Sequence, residues 1–361
     1  MKTLITKELV DYAVLGGAVL GGGGGGRRET GRRMGYLAAE VGRTWLVDVE
    51  DLDDETWLLM VSSVGAPAAK EQYVELRYYV RAVRLIEEAA GIKIGGIITN
   101  EAGGMATVNG WLQAALLGLP VVDAPGNGRA HPTGIMGAIG LERETGYESI
   151  QAAIGGHPDF GTYVEIVVRG ELSRCDNLVR QAAVQAGGLV AVARNPVRVS
   201  YARKNSAIGA IRRAVSLGRE MLAASGQGAR AMVGAAARNL GGQITGQGRV
   251  ANLELVTTGG FDVGRMDITG TRNLELTFWN EYMTLEEDGR RIGTFPDLIM
   301  TFAADSGEPL TSAEIQEGQE VYVLHVPRER LILGSSLRNR ELYLPLERAT
   351  GKEIIRYVFG G

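Results

Sequence analysis

Three apolar runs in the first 132 residues each stop at glycines or polar groups, and helical patterns separate them. TWLLMVSSVGAP (56–67), GIKIGGIITNEAGG (91–104) and VVDAPGNGRAHP (121–132) read as buried strands with the loops that follow; TWLVDVEDL (44–52) adds another strand. Between them, a pattern from Ala68-Ala69-Lys70-Glu71 to about Ala90 and the apolar-faced VNGWLQAALLGL (108–119) read as helices. Strands that return in one direction need a helical crossover, so this alternation predicts an α/β domain with a parallel sheet covered by helices. Ligands bind beyond the carboxyl ends of strands in such sheets. Those ends carry Gly65-Ala66-Pro67, then Asn100 and Glu101, then Asp123, Asn127, Arg129 and His131.

The last of these loops holds a proton acceptor, an amide, a fixed cation and an imidazole within nine residues. The alternative reading is a polar surface turn with a stray histidine. Repetition of polar chemistry at successive strand ends favours a site, because functional groups concentrate on loops held by rigid scaffolds.

Residues 5–19 have helical spacing with Thr6 as cap, and a second helical pattern runs from Glu29 to Glu40. Six glycines, Gly21–Gly26, lie between them. A flexible spacer is one reading. The other is a bare-backbone loop whose amides approach a ligand at a helix amino end, and the entropy cost of ordering six glycines favours it. Gly23, Gly24, Gly25 and Gly26 are therefore candidate substrate-binding positions. The match of Gly21, Gly23 and Gly26 to a dinucleotide fingerprint carries little weight: poly-glycine satisfies it trivially, and a helix precedes it.

Net charge is -4 with no basic stripe, which argues against a nucleic-acid partner. A single cysteine, Cys175, allows no internal disulfide and fits a reducing compartment. Glu8 and Asp11 interrupt any signal-peptide core, and no apolar run reaches the roughly 18 residues of a membrane span. The expectation is a cytoplasmic protein with no membrane partner, forming a homo-oligomer.

Further on, residues 134–155 show an Ala/Gly-rich helical pattern, and GGHPDFG (155–161) presents His157 as a second candidate histidine. YVEIVVRG (163–170) reads as a strand, 178–197 as a helix then a strand, and 207–224 as a helix. Cys175 has no histidine near it in sequence, so packing is the simpler role. From about residue 243 short alternating runs, ending with ELYLPLE (341–347), follow one another at turn-separated intervals, predicting a β-rich barrel or sandwich. Asn280-Glu281 and Pro296-Asp297 stand out there; Asn280 and Asp297 are candidate substrate contacts, with inter-domain hydrogen bonding as the alternative. His325 reads as a strand residue. The predicted division is an α/β domain over 1–162 and a C-terminal domain over 163–361, β-rich from about 243.

LGGAVLGGGGGG (15–26), SSVGAP (62–67), NEAGG (100–104), VVDAPGNGRAHP (121–132), NEYMTLEEDG (280–289) and FPDLI (295–299) occur in an order that resembles the S-methyl thiohydantoin desulfurase family, along nearly the whole chain. The sequence departs from that pattern where Arg27 follows the glycines and where His131 precedes Pro132. The resemblance implies an N-terminal α/β and a C-terminal domain. It implies hydrolysis of a methylated thiohydantoin ring, releasing methanethiol and leaving a hydantoin. It also implies cyclic imides and lactams as the substrate class, in the company of hydantoinase and oxoprolinase-type proteins.

For that chemistry the residues offer Asp123 or Glu101 as general base and His131 as general acid. Arg129 and Asn127 would hold the ring carbonyl, with Asn100 beside them, and the glycine amides a substrate carboxylate. A competing version uses a divalent metal such as zinc on Asp123, His131, His157 and Glu101, without a recognised ligand spacing to support it. The alternatives from other classes are a non-catalytic subunit partnering a hydantoinase-type enzyme and a nucleotide-binding enzyme using the glycine loop.

Overall fold

The computed structural model describes residues 2–65, 69–259 and 261–360. Ala66 and Pro67, expected at the end of a site strand, and Ala68, expected at a helix start, lie outside the described residues.

The first sheet has eight strands: β1 (Lys2–Leu4), β2 (Trp45–Val47), β3 (Trp57–Gly65), β4 (Ile94–Thr99), β5 (Val121–Val122), β6 (Ser149–Gly155), β7 (Val164–Gly170) and β8 (Leu189–Arg198). Their spatial order is β1-β2-β5-β4-β3-β8-β6-β7. β2, β5, β4 and β3 are parallel, as the alternation of runs predicts; β8, β6 and β7 add antiparallel pairs on one side and β1 on the other. Side chains alternate across the pleat. Leu59 and Val61 of β3 enter a core shared with Ile97, Val121 and the helices, while Leu58 and Met60 pack on the opposite face against Ile98, Val122 and Ile139.

The helices are α1 (Lys7–Leu20), α2 (Arg28–Val41), α3 (Leu76–Ala90), α4 (Trp111–Leu117), α5 (Leu172–Gln185), α6 (Val199–Asn205), α7 (Ala210–Ser225) and α8 (Ala229–Leu240). Thr6 caps α1 as expected, accepting from the Leu9 amide at 3.2 Å. Residues 134–155 are not helical: two short 3₁₀ turns lead into β6, because alanine and glycine there pack at strand period against β8 rather than along a helix stripe. A division at 162 would separate β6 from β7, which pair from Ser149–Gly170 to Gly155–Val164; the first sheet runs on to residue 198.

The second sheet is antiparallel and sandwich-like, with β9 (Gln243–Thr258), β10 (Phe261–Gly270), β11 (Leu274–Trp279), β12 (Glu281–Glu287), β13 (Arg290–Thr294), β14 (Leu298–Ala303), β15 (Pro309–Leu310) and β16 (Glu320–Val326) in the order β13-β12-β11-β10-β9-β16-β14-β15. ELYLPLE is not a strand: it forms a 3₁₀ turn and α9 (Leu344–Thr350), followed by α10 (Ile355–Phe359). The far half of α1, with α7 and α8, joins the two sheets: Leu15, Val19 and Leu20 pack with Leu217 and Met221 against Leu298, Met300 and Phe302. The glycine run therefore begins where both sheets meet.

Candidate functional site

A cavity of about 1140 Å³ opens beyond the carboxyl ends of β3 and β4 and is closed by the second sheet's Asn280, Glu281 and Ser312. The loop from Gly21 to Gly26 runs along its wall. The Gly22 carbonyl accepts from the Tyr282 amide at 2.8 Å, that of Gly23 from Ser312 at 2.9 Å, and that of Gly25 from the amides of Met105 and Ala106, each at 3.0 Å. The loop is thereby pinned to β12 on one side and to the turn after Glu101 on the other. At Gly24 an added Cβ would lie 2.6 Å from Glu281 Cδ, and at Gly25 (φ +75°) one would lie 2.5 Å from Gly103 Cα. The glycines are required because two domains approach a bare backbone.

Glu101 follows β4 directly, and His131 comes from the loop after β5. Their side chains meet on the cavity wall, Glu101 Oε2 lying 3.3 Å from His131 Nε2. The same Oε2 accepts from the His131 amide at 3.1 Å. His131 Nδ1 lies 2.8 Å from the Thr133 carbonyl oxygen, which can only accept. Nδ1 therefore carries the proton, and Nε2 presents its lone pair to Glu101 and to Asn100 Nδ2, 3.3 Å away. Burial pushes the Glu101 carboxyl up to about 8 and the His131 imidazole down to about 3, with Arg194 and Arg129 opposing protonation of the ring. At neutral pH the pair is a carboxylic acid facing a neutral imidazole. These shifts favour the proton on Glu101 and the free lone pair on His131, whereas the sequence suggested Glu101 as base and His131 as acid.

A second carboxyl faces the first from the other domain. Glu281 is buried at the start of β12, and burial first, then the neighbouring Glu101 carboxyl, holds its own carboxyl well above the usual carboxylate range. Asn280 beside it adopts φ +57°, its Oδ1 accepting from the Asp262 amide at 2.9 Å, so it breaks the strand and turns Glu281 toward the cavity. Arg194 and Arg180 add positive charge to the cavity lining; Arg194 donates to Asp176 at 2.8 Å and to Ser62 Oγ at 2.6 Å, and Arg180 lies 4.3 Å above the Phe261 ring.

Of the residues expected at the site, Gly23, Gly24, Gly25, Gly26, Asn100, Glu101, His131 and Asn280 line this cavity. Asp123 does not: its Oδ1 accepts from the Ile211 amide at 2.7 Å and its Oδ2 from the Arg212 amide at 3.1 Å, so it satisfies the orphan donors at the amino end of α7. Asn127 braces two turns, accepting from the amides of Gly128 and Gly334. Arg129 is fully buried behind the wall, donating to the carbonyls of Ala130, Pro296 and Asp297 and stacking 4.5 Å from the Phe295 ring. Asp297 ties His325, Thr294 and Arg328 together away from the cavity. His157 accepts from the Asp159 amide and stacks on Tyr73. Of the residues expected for a metal, Glu101 and His131 meet at 3.3 Å, while Asp123 and His157 are held elsewhere. Among the described residues no three His, Cys, Asp or Glu side chains are arranged to hold a metal ion. Cys175 is buried 3.9 Å from the Ser149 carbonyl, its thiol pushed up by burial, which suits packing rather than attack.

Arg180 and Arg194 are charged cavity residues that the sequence reasoning did not single out, while Glu281 stood out only beside Asn280. Arg194 had a signal, an arginine inside the apolar strand VAVARNPV, since a buried cation needs a partner. Arg180, on an ordinary amphipathic helix, had none.

Fold and cavity together define a two-domain α/β protein with a buried acid–imidazole pair between its sheets. The family model for the S-Me-THD-like N-terminal domain matches residues 8–153, and that for the S-Me-THD-like C-terminal domain matches residues 171–334. The chain belongs to the S-Me-THD-like family, that of S-methyl thiohydantoin desulfurase. An X-ray crystal structure of a protein from Chromobacterium violaceum, a structural genomics target, is similar with TM-score 0.73 over 99% of this chain and 98% of its own, at 21% identity. That likeness shows a shared fold. None of the curated proteins matches the chain. Among the described residues no helix is long and apolar enough to cross a membrane.

Proposed function

We propose that the protein hydrolyses an S-methyl thiohydantoin, breaking the bond between ring carbon and sulfur to give methanethiol and a hydantoin. The family's name supports the substrate class. The observation that carries the reaction is the Glu101–His131 pair, a carboxyl and an imidazole 3.3 Å apart on one wall of a cavity large enough for the ring.

The reacting carbon is bonded to two nitrogens and to sulfur. Water adds to it, His131 Nε2 taking the water proton while Glu101 delivers its own to the ring nitrogen. Collapse of the adduct returns the hydroxyl proton to Glu101, forms the new carbonyl and expels methanethiolate, which takes the proton from His131. Both residues end as they began, and the balance is one water in and one thiol out. Arg180 and Arg194 steady negative charge on the ring, and burial amplifies them by excluding water.

The test is thiol release from the purified protein alone over a panel of S-methylated thiohydantoins. Methanethiol and hydantoin are expected in equal amounts, with Glu101→Gln slower by about a hundredfold or more. A folded protein that releases no thiol from any ring would instead favour the non-catalytic subunit of a hydantoinase-type enzyme.

A further inference from the structure

Four strands end the two sheets: β1 and β7 in the first, β13 and β15 in the second. The outer side of such a strand carries a row of unpaired backbone N–H and C=O groups, which proteins blunt by shortness, proline, bulges or cover. Three of the four are blunted. β1 has three residues, β15 has two and opens on Pro309, and the β12–β13 ladder shifts register between Leu285 and Glu286. β7 is different. It runs seven residues without proline and pairs with β6 in unbroken register from Gly170 to Val164. Among the described residues no strand pairs with its outer side.

The side chains of β7 say what covers it. Val164, Ile166 and Val168 turn toward α5 and pack with Val179, Ala182 and Ala183. Tyr163, Glu165, Val167 and Arg169 project on the opposite face, where Tyr163 is 42% and Val167 40% exposed. Glu165 lies 3.2 Å from Arg81; Arg169 lies 3.6 Å from Glu148 and donates to the Ala89 carbonyl at 2.8 Å. Both keep capacity to spare, since a carboxylate accepts about four hydrogen bonds and a guanidinium donates five. A two-fold axis perpendicular to the sheet would bring two copies of this strand together antiparallel, with the same patch on each side. With Val167 on the axis, Glu165 faces the partner's Arg169, and Arg169 faces the partner's Glu165. Centring the pair on Glu165 or on Arg169 sets like charges face to face. Centring it on Ile166 or Val168 sets each charge opposite an uncharged or like-charged group. One register therefore satisfies the charges, and register is what cross-strand pairs decide.

We propose that β7 is a dimerisation edge, at which a second copy of this chain pairs antiparallel with Val167 on the two-fold axis and joins two eight-stranded sheets into one. The partner is the chain itself because the charged row complements its own reversal. The contact satisfies the free backbone row, covers Tyr163 and Val167, and is independent of the ring chemistry.

The full chain is followed by sedimentation velocity over a dilution series. Wild type is expected to run as a dimer that dissociates on dilution. Glu165→Arg and Arg169→Glu each turn both cross-strand pairs into like charges, so each is expected to raise the dissociation constant about tenfold or more. The double variant, Glu165→Arg with Arg169→Glu, exchanges the charges and is expected to restore the wild-type constant. Val167→Lys sets two cations together at the axis and is expected to leave monomer. Circular dichroism melts check that every variant is folded. Glu165 also meets Arg81, so Val167→Lys carries the test if the Glu165 variants unfold. Rescue by the double variant, or loss of the dimer in folded Val167→Lys where the Glu165 variants unfold, upholds the proposal. A wild type that is monomeric throughout, a dimer indifferent to Val167→Lys, or a folded double variant as dissociated as the single ones overturns it.

Discussion

Glu101 and His131 lie 3.3 Å apart, and burial raises the carboxyl and lowers the imidazole, so it is the acid that departs from its ordinary state at neutral pH. The Thr133 carbonyl fixes which imidazole nitrogen carries hydrogen, and burial withholds a second proton from the ring while keeping one on the acid. Removing the acceptor is therefore costly: His131→Ala is expected to lower kcat by about 10²–10⁴-fold, measured by thiol release from protein of wild-type circular dichroism, and a loss under tenfold would count against the pair. Asp123→Ala should behave in the opposite way. It uncaps two amides of α7, so urea denaturation is expected to show a loss of about 1–2 kcal/mol, with kcat of the folded protein unchanged. From sequence both residues stood on one loop as candidate catalytic groups. Only the three-dimensional placement separates a residue of the cavity from a helix cap.

Among elements, the glycine loop is the most demanding. Gly25 combines a left-handed backbone with a Cβ position 2.5 Å from Gly103 Cα, so an alanine there has both conformational strain and a backbone collision. Gly91, which ends α3 at φ +65°, has nothing within 4 Å of the same position. Gly91→Ala is thus expected to cost about 1 kcal/mol, the strain alone, and Gly25→Ala at least about 2 kcal/mol more, since packed backbones do not yield easily. Equal shifts in denaturation midpoint would mean that the loop has slack. The entropy cost of six glycines tilted the sequence reading toward a functional loop over a spacer, but nothing local named β12 and the turn after Glu101 as its partners. Those contacts join positions far apart in the chain, and no local pattern encodes them. The misread segment 134–155 has the same cause: alanine and glycine fit a helix locally, and pairing with β8 overrode that propensity.

At the scale of the whole molecule, the buried groups couple stability to pH. Glu101, raised to about 8, keeps its proton in the fold while an unfolded chain has lost it from about pH 4.5 upward, so its contribution declines as pH rises through 8. His131, lowered to about 3, works the other way: the unfolded chain binds the extra proton below about pH 6.5, so stability rises with pH from 3 to 6.5. Asp123, raised to about 6, adds a decline that is complete near that value. The opposing trends offset one another in mild acid, and above about pH 6.5 those of the buried glutamates are left. The melting temperature is expected to fall between pH 6.5 and 8.5, and Glu101→Gln to flatten that fall; a slope unchanged in the variant would show that Glu101 is not held protonated.

The order of strands and helices from α1 to residue 132, the β-rich region after 243 and the strand ends where a site belongs were legible from hydrophobic period and turn chemistry, because those signals are local; the three-residue β1 was not. So was the family likeness, which rests on motifs in series. Which of the polar residues share a cavity was settled by packing alone, since Glu101, His131, Glu281 and the arginines arrive from segments up to 180 positions apart, measured from Glu101 to Glu281. Their protonation was settled there too: a carboxyl or an imidazole departs from its solution behaviour only once the fold has taken water away from it.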